Sequence, residues 1–167
     1  MNCYLKSYNH RRAVKHGKKN DLVGRLILMR SDPWVHSELQ FSKRKGLISF
    51  SATMQDNIKC ARFKDIWYHE HPERWDTVEI PMTDTQEDFL YRQAAMMAGN
   101  VKYDLWGLLS FGTPWRIVKP DPDKMWCSEI VGHLIRMAHK KIPITPDQTH
   151  PTLLHTTCQE YFCPEKV

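Results

Sequence analysis

Cys127 stands in "DPDKMWCSEIVGHLIRMAHK", where an apolar stripe with helical spacing begins: Ile130, Val131, Leu134, Ile135 and Ala138. A thiol at a helix start lies among unpaired backbone N–H groups, at the positive end of the helix dipole. Both favour a thiolate, and the same N–H groups suit the oxyanion of acyl transfer. Cys127 also lies three and four residues before Ile130 and Val131, so it shares their inward face. The segment alone therefore reads either as a nucleophile or as a small buried side chain.

A nucleophilic thiol needs a base. Of nine histidines, His36 has the most informative setting. "VHSELQF" alternates, with Val35, Leu39 and Phe41 on one face and His36, Glu38 and Gln40 on the other. A strand with one apolar face sends its other face to water or to a cleft. "LISFSAT" alternates in the same way after the Gly-containing turn "SKRKG", and the two runs read as a hairpin. With Phe41 opposite Gly46, His36 faces Ser51 and Glu38 faces Ser49; the other parity would set apolar residues against polar ones. Ser51 or Glu38 could then orient the imidazole and fix its tautomer.

The elements that must position these groups follow in order. "GRLILMR" (24–30) predicts a short buried strand and "SDPW" a turn. Further strands are expected at 57–63 and 75–82, with "YHEHPERW" as loop between them. A helix is expected over 83–100, a short apolar helix or turn at 103–111, a Pro-rich loop at 112–124, the Cys127 helix to about Lys140, and a last helix after Pro151. Strands first and helices second predict an α+β fold, an antiparallel sheet packed against helices.

The chain of 167 residues, 41% apolar and 26% charged, suits one domain. Its net charge of +5 is uneven: the first twenty residues hold six Lys and Arg and no acid, while the remainder holds 18 against 19 acids. This reads as a basic arm over 1–20 ahead of a domain over 21–167. Such an arm is either a solvated terminus or a contact for nucleic acid, another acidic polymer or anionic lipid. No apolar run is long enough to span a membrane, and the basic first residues, with no apolar run behind them, are not expected to act as a secretory signal. Five widely spaced cysteines without C-x-x-C fit a reducing cytoplasm rather than a disulfide framework.

"WVHSELQF", the hairpin to "ISFSAT", the later "YDLWGLL" and then "WCSEIVGHLI" resemble, over about residues 22–140, the circularly permuted papain-like, NlpC-type cysteine amidase superfamily. Lecithin:retinol acyltransferase and bacterial and phage amidases belong to it, and its histidine strand precedes its cysteine helix. The resemblance implies Cys127 as nucleophile and His36 as general base. It places a third polar residue on the strand after the histidine, where Ser51 is the match by register. Tyr103 and Asp104 of "YDLWG" are implied to shape the cleft, and Trp34 and Trp126, which flank the pair, are read as lining a substrate groove or as core. The implied substrate is a peptide, cell-wall amide or acyl ester, with acyl transfer or thioester cleavage as variants, no cofactor and no metal. Release from a lysed cell, or association with a virion, is the expectation for a phage-encoded member.

Two other readings compete. His69-Glu70-His71 and the group His150, His155, Cys158 and Cys163 could ligate a metal, but neither has the spacing of a zinc ribbon or a metalloprotease helix. Alternatively the papain-like domain is a catalytically degenerate scaffold and the basic arm does the binding, to nucleic acid or in a structural particle.

Overall fold

A computed structural model of the chain describes residues 2–17, 22–29, 31–54, 60–65, 68–110, 121 and 123–166. The strands are β1 (Asn2–Asn9), β2 (Trp34–Gln40), β3 (Ser49–Thr53), β4 (Cys60–Lys64), β5 (Trp75–Pro81), β6 (Lys102–Tyr103) and β7 (Lys124–Met125). The helices are α1 (His10–Lys15), α2 (Leu22–Leu28), α3 (Asp84–Met97), α4 (Leu105–Ser110), α5 (Cys127–Ala138) and α6 (Pro151–Phe162). The strands form one curled sheet in the order β5-β1-β2-β3-β4-β6-β7, antiparallel except for the β6–β7 pair. The fold is α+β, as expected from the order of elements.

The largest correction concerns residues 2–17 of the expected arm. They are not an arm outside the domain: β1 lies inside the sheet, with Leu5 opposite Leu39 of β2 and Val78 of β5. Cys3, Leu5 and Ser7 are fully buried while Tyr4, Lys6 and Tyr8 are partly exposed, a period of two that the basic charge count obscured. Three of the cations in this segment are also engaged. Arg11 pairs with Asp32, Arg12 with Asp76, and Lys6 Nζ donates to Thr77 Oγ1 at 3.0 Å.

A second correction is α2. The stretch expected as a strand is helical over Leu22–Leu28. A short apolar run carries no period that separates the two states, and Leu favours helix. Ile27 of α2 packs with Val35 and Trp126.

The third concerns the hairpin register. Leu39 faces Phe50 and Gln40 faces Ser49, so the pairing is displaced by two residues but keeps its parity. The connection is longer than a tight turn: Lys43–Lys45 form a 3-10 turn, Ser42 Oγ accepts from Arg44 N–H at 3.2 Å, and Gly46 adopts a left-handed conformation at φ 75°. The strand expected at 57–63 is β4; residues 57–59 of it lie outside the described residues, as do 112–120 and 122 of the Pro-rich loop.

The core lies between the sheet and α3, α5 and α6. Leu5, Leu39, Phe50, Ala52 and Ile80 from the strands, with Phe41 just past β2, meet Leu90, Ile130, Leu134, Ile135 and Leu154 from the helices, all fully buried. Each of the larger side chains contributes about 1.5–3 kcal/mol relative to exposure. That packing seats α5 against β2 and β3 and brings its N-terminus to the strand that carries His36. No helix among the described residues is long and apolar enough to cross a membrane.

Candidate active site

The start of α5 is anchored by two bonds to one carbonyl. Trp126 Nε1 donates to Thr149 O at 3.0 Å, and Ser128 Oγ donates to the same oxygen at 2.7 Å. The Glu129 carboxylate reaches back to accept from Trp126 N–H at 3.3 Å. Cys127 is the first helical residue and is fully buried. Residue 126 occupies the cap position, and an indole has no acceptor to offer the first-turn N–H groups.

Beside the thiol stands His36, whose ring feels the charge of Cys127. Its Nε2–H donates to Glu38 Oε1 at 3.0 Å. Burial pulls the ring's pKa down. The charge of Cys127, followed by the hydrogen bond and charge of Glu38, outweighs this and raises it to about 10. The geometry therefore favours an imidazolium between a sulfur and a carboxylate, both able to carry negative charge. Glu38 is itself buried, with 8% of its side chain exposed against 21% for His36. The polar face of β2 does not open to water at this point.

Tyr103 reaches the same thiol from β6. Burial, followed by the charge at Cys127, pushes its phenol pKa well above the ordinary value. The side chain remains a proton donor across the working pH range. Asp104 does something else: its Oδ1 accepts from Gly107 N–H at 2.7 Å and caps α4. Gly107 is required where it stands, because a Cβ there would meet Asp104 Oδ2 at 2.1 Å and Trp126 Cζ3 at 2.9 Å.

No protein-family model, curated protein or solved structure matches this chain.

Of the residues singled out in the sequence, Cys127, His36, Glu38 and Tyr103 come together. Ser51 does not orient the imidazole; it is buried and donates its hydroxyl to Ser37 O at 2.6 Å. The displaced register is the reason. Trp126 is 3% exposed and packs with Ile27 and Val35, so it belongs to the interior and not to an open groove. Trp34 points elsewhere. Its Nε1 donates to Asp76 Oδ2 at 2.6 Å, its ring stacks on His155 at 4.0 Å, and it lines a surface cavity of about 550 Å³ with Asp76, His155 and Gln159.

The sequence reading missed Tyr68, which donates to Glu38 Oε2, and Trp75, whose ring stands edge-on to His36 at 6.5 Å and to Tyr68 at 4.9 Å. Both flank "HEHPER", where no periodicity exists to signal a role. The residues considered as metal ligands are dispersed. His150 Nδ1 accepts from Leu153 N–H and caps α6, His155 Nδ1 meets Ser7 Oγ at 2.9 Å, and His71 faces Glu73. The side chain of His69 lies outside the described residues. Among the described residues no three His, Cys, Asp or Glu gather as a metal site.

Proposed function

We propose that this chain is a cysteine hydrolase of amide or acyl ester bonds, built as a permuted papain-like domain with the histidine strand ahead of the cysteine helix. The observation that carries the reading is the His36–Glu38 pair beside Cys127 at the N-terminus of α5. Cys127 is the nucleophile, His36 the acid and base, and Glu38 the group that orients the ring.

The reaction runs in two halves. The Cys127 thiolate attacks the carbonyl carbon; the C–S bond forms and the carbonyl π electrons move to oxygen. Backbone N–H groups at the start of α5 and the Tyr103 phenol are the donors placed to meet that oxyanion. As the tetrahedral intermediate collapses, the bond to the amine or alcohol breaks and the leaving group takes its proton from His36. Water then attacks the thioester, gives its proton to His36, and the thiolate departs. Cys127 has no exposed surface, so a carbonyl reaches Sγ only after the groups that cover it move aside. Transfer to an alcohol or amine in place of water would make the same pair an acyltransferase. The alternative is a catalytically degenerate scaffold acting as a binding or structural module; within it, residues Asn2–Asn9 are a strand of the sheet.

The test is the iodoacetamide reaction of Cys127 against pH, in wild type and in His36→Ala. Cys127→Ala identifies the signal from the other four cysteines. Reaction persisting below pH 7 in the wild type and moving to the ~8.5 of a free thiol in the variant supports the pair. Identical profiles would leave Cys127 as packing.

A further inference from the structure

We propose that Tyr68 is a positioning residue of this site: it holds Glu38 so that one carboxylate oxygen is kept on His36. The inference rests on the Cys127–His36 reading above and extends it beyond the three groups already named. A carboxylate has two oxygens and a free torsion, so one hydrogen bond to an imidazole does not orient it. Here both oxygens are engaged. Oε1 accepts from His36 Nε2–H at 3.0 Å, and Oε2 accepts from the Tyr68 hydroxyl. A phenol has one proton, and Tyr68 spends it on Glu38. The Ser49 hydroxyl, 2.5 Å from the phenol oxygen, is then the donor to Tyr68. The relay runs Ser49, Tyr68, Glu38, His36, Cys127.

The ring is held on two sides. Trp75 stands edge-on to it at 4.9 Å, and Lys6 Nζ lies over its face at 4.9 Å. Its aromatic body fixes where the hydroxyl points, and burial beside the Glu38 charge keeps that hydroxyl protonated. Trp75 also meets the His36 ring, so one indole buttresses both ends of the Glu38 bridge.

The distinguishing property of a positioning residue is that it acts through its partner. We measure the iodoacetamide rate at Cys127 at pH 6.5 in wild type, Tyr68→Phe, Glu38→Gln and the double variant, with His36→Ala as reference and thermal melting as the check on folding. Tyr68→Phe is expected to slow the reaction about tenfold, the size of one charge-assisted hydrogen bond. In the Glu38→Gln background the same change is expected to do nothing further. Equal rates in wild type and Tyr68→Phe, or losses that multiply in the double variant, overturn the inference. If wild type and His36→Ala react alike, the Cys–His reading itself fails, and that result is separate. Should Tyr68→Phe not fold, Ser49→Ala replaces it. That variant leaves the ring packed and removes only the donor to the phenol; a loss of about threefold that vanishes in Glu38→Gln supports the inference, and no loss overturns it.

Discussion

Glu38 and His36 stand two residues apart on one strand and meet at 3.0 Å through Oε1 and Nε2. Same-face neighbours on a strand are ordinarily spaced at roughly 6–7 Å, and a glutamate is long enough to close that gap. The orienting group for the imidazole therefore comes from the histidine's own strand and not from the strand beside it.

Glu38→Gln and Ser51→Ala separate the two candidates for the third residue. Glu38→Gln retains the shape and loses the charge, and it is expected to lower the rate of hydrolysis about 10- to 100-fold. Ser51→Ala removes a buried bond to Ser37 O. It is expected to leave the rate within a factor of about three and to cost about 1 kcal/mol of stability. Steady-state kinetics beside urea melts of both variants check this, and the reverse ranking would return Ser51 to the site.

Hydrolysis and alkylation are expected to part at high pH. The His36 value is raised to about 10, so the imidazolium is present below that pH and lost as the pH rises through it. Hydrolysis needs that proton for the leaving group, whereas alkylation needs only the thiolate. The turnover rate is expected to fall above about pH 10 while the iodoacetamide rate does not. A parallel fall in both would point to loss of the fold.

Glu87 gives the acid limb of stability. It is fully buried and accepts from Ser42 N–H at 2.7 Å and from Arg44 Nε–H at 3.2 Å. Burial raises its pKa, but the Ser42 bonds and Arg44 outweigh this and hold it below the usual carboxylate value. With the folded value under the unfolded ~4.3, the stabilisation is complete above that pH and lost as the pH falls toward the folded value. Glu87→Gln is expected to cost about 1–3 kcal/mol at pH 7. Urea midpoints from pH 7 down to pH 3 should show the gap to wild type closing; a constant gap would remove the ionisation from the account.

Leu5→Ala tests the place of the first residues. Leu5 is fully buried between Leu39 and Val78. Its truncation is expected to cost about 2–5 kcal/mol, read from the urea midpoint. A free arm would tolerate the change within ~0.5 kcal/mol.

By itself the sequence determined the elements with a clear period and a clear stop. The alternation of "VHSELQF" and "LISFSAT" made strands, because side chains on a strand change face at every residue. The stripe from Ile130 to Ile135 made a helix that begins at Cys127. Those local patterns were enough to pair Cys127 with His36 as candidates, since a thiol at a helix start and an imidazole on a polar strand face are visible one residue at a time. What lay beyond was decided by contacts between distant segments. β1 was hidden because its alternating Cys3, Leu5 and Ser7 are small or few beside six cations, and only pairing with β2 and β5 shows which of its faces is buried. α2 was ambiguous because a short apolar run has no period to read. The choice of Glu38 over Ser51 followed from a hairpin connection two residues longer than in the expected register, with its 3-10 segment and left-handed Gly46. Tyr68 entered the site from an aperiodic stretch 30 residues from Glu38, a distance that only the folded chain closes.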